Sequence, residues 1–177
     1  IVLGFRESSI PFSYYNDEKQ VIGYSQDLAK KTVAAVQAEL LPPKLDVRMV
    51  PITPQNRFTL IQDGTIDLEC GSTGNTTERQ KQVAFSNSIF IVRMQLMTRK
   101  DYGINDFADL AGKTVVTTAG TTNVHVIQKM NEEKKMGMNV IIANDHREAF
   151  LALEEKRAAA FLMDDVLLNG ERTRAIR

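Results

Sequence analysis

Apolar runs of strand length alternate with segments of helical period along almost the whole chain, a pattern that predicts an α/β architecture with largely parallel sheets. A strand over residues 1–5 leads into the loop Arg6-Glu7-Ser8-Ser9-Ile10-Pro11-Phe12, then into an aromatic, hairpin-like piece that turns at Asn16-Asp17. Ser25 is expected to cap a helix whose Ala29, Val33, Val36 and Leu40 share one face, with Pro42-Pro43 as its stop. A strand follows over 45–50. Thr53 as N-cap and Pro54 at the first helical position predict a helix through Asp63, stopped by Gly64 and carrying Asn56 and Arg57 in its first turn. A further strand, 66–70, empties into the hydroxyl-rich stretch Ser72-Thr73-Gly74-Asn75-Thr76-Thr77, with Arg79 at the start of a helical turn.

Residues 89–98 read as one long alternating strand, with Phe90, Val92, Met94 and Leu96 on one face and Arg93 and Gln95 on the other. It divides the chain into halves of nearly equal size, and the division predicts two lobes, 1–91 and 92–177, with 89–98 as the hinge. The second half repeats the style of the first: a short helix over 105–110, a strand over 114–118, the turn Ala119-Gly120-Thr121-Thr122, and a helix to about Lys135. A strand over 139–143, a helix from Asn144-Asp145-His146 through Lys156, a strand over 159–163 and a last helix from Asp164-Asp165 complete it. In open α/β sheets, ligands collect beyond the carboxyl ends of strands. The residues standing there are Arg6, Arg57, Ser72, Arg79, Thr122, His146 and Asp164. Divided between the halves, they predict a cleft for a molecule with two acidic groups and one amine.

Composition narrows the partners. Lys+Arg and Asp+Glu both number 22, which removes the main electrostatic reason to expect nucleic acid or an anionic membrane surface. No apolar run reaches the roughly 18 to 20 residues of a membrane span. The first residues, Ile1-Val2-Leu3-Gly4, already read as a strand with no initiator Met or leader before them, so the start reads as cut, with room for a lost secretory signal before it. The single Cys70 ends an apolar strand, either as a small buried hydrophobe or as a thiol whose partner lies elsewhere.

The individual motifs leave alternatives open. Backbone N–H groups, short hydroxyls and the Arg79 fork suit a carboxylate, although a surface turn with a solvated arginine has the same composition. His146 and Asp164-Asp165 stand at helix starts, where capping and the helix dipole favour such residues whatever the function. His125 falls in mid-helix as a surface residue. Gly112-Lys113-Thr114 resembles the end of a phosphate-binding loop, but Phe107 occupies the position of its first glycine. Ser72 lacks a Gly-x-Ser-x-Gly elbow, and two His with one Cys show no ligand spacing, so neither acyl-transfer chemistry nor a structural metal is supported. No cofactor is called for.

Thr76-Thr77-Glu78-Arg79 through Val83-Ala84-Phe85-Ser86, with Asp109-Leu110-Ala111-Gly112-Lys113 and Gly120-Thr121-Thr122, resembles the extracellular solute-binding proteins of family 3, which serve bacterial ABC transporters. The likeness is greatest to the glutamate/aspartate-binding members, through Phe5-Arg6-Glu7-Ser8-Ser9-Ile10-Pro11-Phe12, Gln55-Asn56-Arg57, Glu69-Cys70-Gly71-Ser72 and Met163-Asp164-Asp165. The resemblance implies a two-lobed periplasmic-binding-protein-like (type II) fold and a periplasmic location. It also implies a partner permease and, as ligand, L-glutamate or L-aspartate, with no chemistry performed. It makes Arg79 the fork for the ligand α-carboxylate, helped by Ser72 and Thr122, and Asp164 the acceptor of the α-ammonium. Arg6, Arg57 and His146 would gather round the distal carboxylate. Pro54 and Gly74 depart from the small hydroxyl residues common at their positions. The resemblance further implies a return segment that completes both lobes and a cysteine there to pair with Cys70. An enzyme on the same fold, of the prephenate/arogenate dehydratase kind, and a sensor module are the alternatives, with Asp164 and Glu7 as the acids such an enzyme would need.

Overall fold

The structure, a computed structural model, describes residues 1–40 and 44–175. In chain order its first elements are β1 (Val2–Phe5), β2 (Ser8–Ser9), β3 (Ser13–Tyr15), β4 (Val21–Ile22), α1 (Tyr24–Leu40), β5 (Arg48–Pro51), α2 (Arg57–Gln62), β6 (Leu68–Glu69) and α3 (Thr77–Gln80). There follow β7 (Met94–Thr98), β8 (Thr114–Thr118), α4 (Thr122–Glu133), β9 (Asn139–Ala143), α5 (His146–Glu154), β10 (Ala160–Asp164) and α6 (Asp165–Arg172). Short 3-10 turns occupy Lys100–Tyr102 and Phe107–Leu110. The chain divides into two compact units, Ile1–Phe90 and Ile91–Arg177.

In the first unit β1 is the middle strand of a parallel sheet, between β5 and β6. Leu3, Phe5, Ile52 and Ile66 are buried around it, with Phe12 and Ala29 supplied by the loop and helix that follow. Each of the larger side chains, Leu, Ile and Phe, contributes roughly 1.5 to 3 kcal/mol by leaving water. The aromatic piece forms a small antiparallel sheet of β2, β3 and β4 whose turn is closed by Asn16, its Oδ1 accepting the backbone N–H of Glu18 and Gln20. Helix α1 begins one residue before the expected cap. Ser25 therefore lies inside the first turn, and its hydroxyl donates to the carbonyl of Gly71 instead of accepting a helix amide. The predicted stop at Pro42-Pro43 falls outside the described residues.

Thr53 is not the N-cap of α2: that position falls to Asn56, and Thr53 instead closes the preceding turn with it, Thr53 Oγ1 accepting the Asn56 N–H at 3.2 Å and Asn56 Oδ1 accepting the Thr53 N–H at 2.8 Å. Regular helix then starts at Arg57, three residues later than Pro54 predicted.

The second unit holds a four-stranded sheet in the order β7-β10-β8-β9, parallel except for β7. Ala160, Phe161, Leu162 and Met163 are all buried, as a strand covered on both faces requires. Leu110, Val115, Ile127, Met136 and Met138 complete one core beneath α4. The long strand expected over 89–98 is shorter, because it needs a neighbour along its whole length. β10 supplies one only from Ala160, opposite Thr98, to Asp164, opposite Met94, and there the chain turns into α6. Beyond that point Arg93 exchanges a single pair of bonds with Asp165, its N–H donating to Asp165 Oδ1 at 3.1 Å and its carbonyl accepting the Asp165 N–H at 2.7 Å.

Candidate functional site

The first unit gathers its four candidate residues around one segment, Gly71 to Gly74. Arg6 leaves the end of β1 and is only 2% exposed, its side chain passing beside Gly71. Ser13 fixes its backbone from both sides, the hydroxyl accepting the Arg6 N–H and donating to the Arg6 carbonyl, each at 2.9 Å. Ser72 Oγ donates to Ser9 Oγ at 3.2 Å. Arg57, equally buried, donates from Nη1 to Thr73 Oγ1 at 2.7 Å, and Arg79 donates from Nη1 to the Gly74 carbonyl at 2.9 Å.

Phe58 lies against both of the latter arginines, its ring centroid 5.4 Å from the Arg57 guanidinium carbon and 5.3 Å from that of Arg79. An aromatic face stabilises cations that are partly removed from water. Thr76 caps the single turn of α3, its Oγ1 accepting the Arg79 N–H at 3.3 Å. A concentration of guanidinium groups at the carboxyl end of a parallel sheet, with hydroxyls between them, is suited to carboxylates.

The second unit places its candidates at the carboxyl ends of three adjacent parallel strands. Thr122 opens α4 after β8, His146 opens α5 after β9, and Asp164 ends β10. His146 Nδ1 lies 3.0 Å from Thr118 Oγ1, and both side chains are buried. Asp145 caps α5, its carboxylate accepting the Glu148 N–H at 2.8 Å, so the first-turn position of His146 is set by an acidic cap. Asn123, 1% exposed, donates from Nδ2 to Asp164 Oδ1 at 3.5 Å and to Met163 Sδ at 3.4 Å. A carboxylate steadied by an amide donor, beside two helix N-termini, can take an ammonium group through its remaining lone pairs.

Sequence reasoning missed the residues that hold these groups. Ser13, Ser25, Gln26, Thr118 and Asn123 are buried polar residues. Gln26 Nε2 donates to Ser13 Oγ at 2.9 Å and to the Cys70 carbonyl at 2.6 Å, tying the loop of Arg6 to that of Ser72. The available signal was the cluster Ser25-Gln26 just after Gly23, at a helix start where polar residues are otherwise expected to face solvent. Cys70 is a free thiol, pushed up to about 11 by burial and by the neighbouring Glu69 carboxylate. No cluster of three or more His, Cys, Asp or Glu side chains is arranged for a metal ion among the described residues. None of their helices is long and apolar enough to cross a membrane.

Residues 1–165 match the family model of the bacterial extracellular solute-binding proteins, family 3. The chain is 55% identical over 175 residues to a glutamate/aspartate import solute-binding protein of Salmonella typhimurium, covering 99% of this chain and 58% of that protein. It is likewise 55% identical over 176 residues to an L-glutamate/L-aspartate-binding protein of Pseudomonas aeruginosa, again covering 99% of this chain and 58% of the relative. The chain thus spans little more than half the length of these relatives and is a fragment by comparison with them. Among solved structures, an ancestral arginine-binding protein bound to arginine superposes with a TM-score of 0.85 at 26% identity, covering 98% of this chain and 74% of the other.

Proposed function

The chain belongs to the bacterial extracellular solute-binding proteins of family 3, and from that membership we propose that the full protein captures an acidic amino acid, L-glutamate or L-aspartate, and delivers it to the permease of an ABC transporter. Residues 1–91 and 92–177 contribute to two lobes that a return segment completes, and the ligand binds in the cleft between them. Arg79, with Ser72 and Thr122, takes the α-carboxylate, and Asp164 takes the α-ammonium. Arg6, Arg57 and His146 surround the distal carboxylate. The protein acts in the periplasm, and Cys70 pairs with a cysteine of the return segment.

The observation that carries this reading is the convergence of Arg6, Ser72, Arg57 and Arg79 on residues 71–74. Two carboxylates require at least two cationic groups at different places, and the three guanidinium groups gathered there supply them. The relatives named for glutamate and aspartate, at 55% identity, favour binding over the dehydratase reading.

Calorimetric titration of the full-length protein with L-glutamate and L-aspartate tests it, alongside incubation with prephenate, for which no aromatic product is expected. Ligand at about 100 times its Kd should stabilise the folded protein by roughly 2.7 kcal/mol. A melting temperature indifferent to saturating amounts of both amino acids would refute the proposal.

A further inference from the structure

Gly71 has a φ outside the left-handed region, so the backbone conformation does not call for glycine. The space around it does. A Cβ built there would stand 2.5 Å from Glu69 Oε1 and 2.8 Å from Arg6 Cγ, both closer than real Cβ contacts allow. The two collisions differ in consequence. Glu69 Oε1 is the far end of a flexible side chain and can swing aside. Arg6 Cγ is the first atom beyond Cβ, and on a fixed backbone only χ1 moves it.

That backbone is fixed. Ser13 Oγ bonds both the N–H and the carbonyl of Arg6, and Gln26 Nε2 donates to the same Ser13 hydroxyl. The opposing segment is tied to the same helix turn, with Gln26 Nε2 donating to the Cys70 carbonyl and Ser25 Oγ to the Gly71 carbonyl, each at 2.6 Å. Neither Arg6 nor residue 71 can drift apart from the other without breaking these bonds, which are buried at Arg6 and part-buried at residues 70–71. A side chain at position 71 must then be accommodated by rotation of Arg6 about χ1. Whether the rotation stays about 30° off its staggered well or passes to the next, about 120° away, the guanidinium at the far end of the side chain is displaced the most.

We propose that Gly71 is a positioning residue: its bare Cα selects the rotamer that brings the Arg6 guanidinium to the side-chain carboxylate of an acidic ligand. The inference rests on the role given to Arg6 under the proposed function. It makes residue 71 a determinant of selectivity that need not touch the ligand's side chain at all.

The test is a four-member cycle in the full-length protein: parent, Gly71→Ala, Arg6→Ala and the double variant, titrated with L-glutamate by calorimetry. Gly71→Ala should weaken binding about tenfold or more in the parent, yet change it by less than about twofold once Arg6 is already alanine. Equal losses in the two backgrounds, the mark of a role in the fold alone, would overturn the inference. A second readout needs no ligand. The Arg6 Nε–Hε resonance, assigned by its disappearance in Arg6→Ala, should move in Gly71→Ala, and an unmoved resonance overturns the positioning role even if glutamate binds. A parent that binds neither glutamate nor aspartate refutes the proposed function, while the resonance still decides Gly71. Should Gly71→Ala fail to fold, the double variant, which has no Cγ at residue 6, should melt with Arg6→Ala; a double variant that is also unfolded overturns the inference.

Discussion

Thr118 Oγ1 and His146 Nδ1 lie 3.0 Å apart in the interior of the second unit, so the end of β8 sets the orientation of the ring that opens α5. Replacing Thr118 by Val keeps the shape and removes the hydroxyl, leaving a buried ring nitrogen without that partner. The loss of stability should be about 1 to 2 kcal/mol by urea unfolding, with a parallel loss of glutamate affinity. Thr118→Ser, which keeps the hydroxyl, should restore most of the affinity. Parent-like binding by the Val variant would show that this bond does not orient the ring for ligand.

Arg79 is expected to serve every amino-acid ligand alike, because all carry the α-carboxylate. Arg79→Ala should cost on the order of 2 to 5 kcal/mol of binding, much of it from leaving the ligand's charge unpaired. Titration of glutamate and aspartate against a folded variant checks this, and affinities within threefold of the parent, about 0.7 kcal/mol, would remove Arg79 from the site.

Arg6 should act differently, on selectivity. Glutamine brings an NH2 donor toward guanidinium donors that cannot receive it, so the parent should prefer glutamate by roughly two to three orders of magnitude in Kd. Arg6→Met should weaken glutamate and narrow that gap. A glutamate-to-glutamine ratio unchanged by the substitution would mean that the distal carboxylate lies elsewhere.

Glu171 provides a pH-dependent measurement unrelated to ligand. It is 1% exposed, with Arg147 Nη1 3.9 Å from its Oε2. Burial is the main influence and pushes its carboxyl up to about 7 from 4.5, opposed by Arg174 and Arg147 and reinforced by Asp145 and Glu154. Between those two values the folded state keeps a proton that the unfolded chain has lost, so stability falls as pH rises through this window and levels off above it. Glu171→Gln should therefore be more stable than the parent at pH 8, by on the order of 2 kcal/mol, and nearly equal to it at about pH 4.5. Denaturant titrations at the two pH values decide it; a gain that does not vary with pH would show that Glu171 is ionised in both states.

Where the sequence was legible, a local pattern and its neighbours agreed. Strands β8 and β9 have the expected limits because alternation, flanking turns and a long parallel register all favour the same residues. Residues 89–93 have the alternation without a partner strand among the described residues: side-chain pattern is local, whereas a ladder depends on where β10 ends. The same distinction divides the site. Among the candidates, the positions of Arg6, Arg57 and Asp164 at strand ends or a helix start could be read from the pattern. Ser13 and Gln26 could not, because a short polar residue in a turn looks the same whether it is solvated or, as here, buried and bonded to a distant backbone. Ser25 misled for a related reason. Its type suits an N-cap, but its hydroxyl is committed to Gly71, a contact that only the packed unit creates.

The place of β1 and β10 inside their sheets, each with a neighbour on both sides, also sets how long the groups at their ends stay put. Interior strands open to solvent only in the rarest fluctuations, close to those that unfold the whole unit, whereas an isolated helical turn opens far more often. Arg6 and Asp164 inherit the slow clock of the strands that carry them. Arg79, on the four-residue turn α3, keeps the fast one. Amide exchange should accordingly be slow at Leu3 to Phe5 and at Phe161 to Met163 whether or not ligand is present, and ligand should slow it chiefly around Thr77 to Gln80, where an incoming carboxylate would still find something to immobilise.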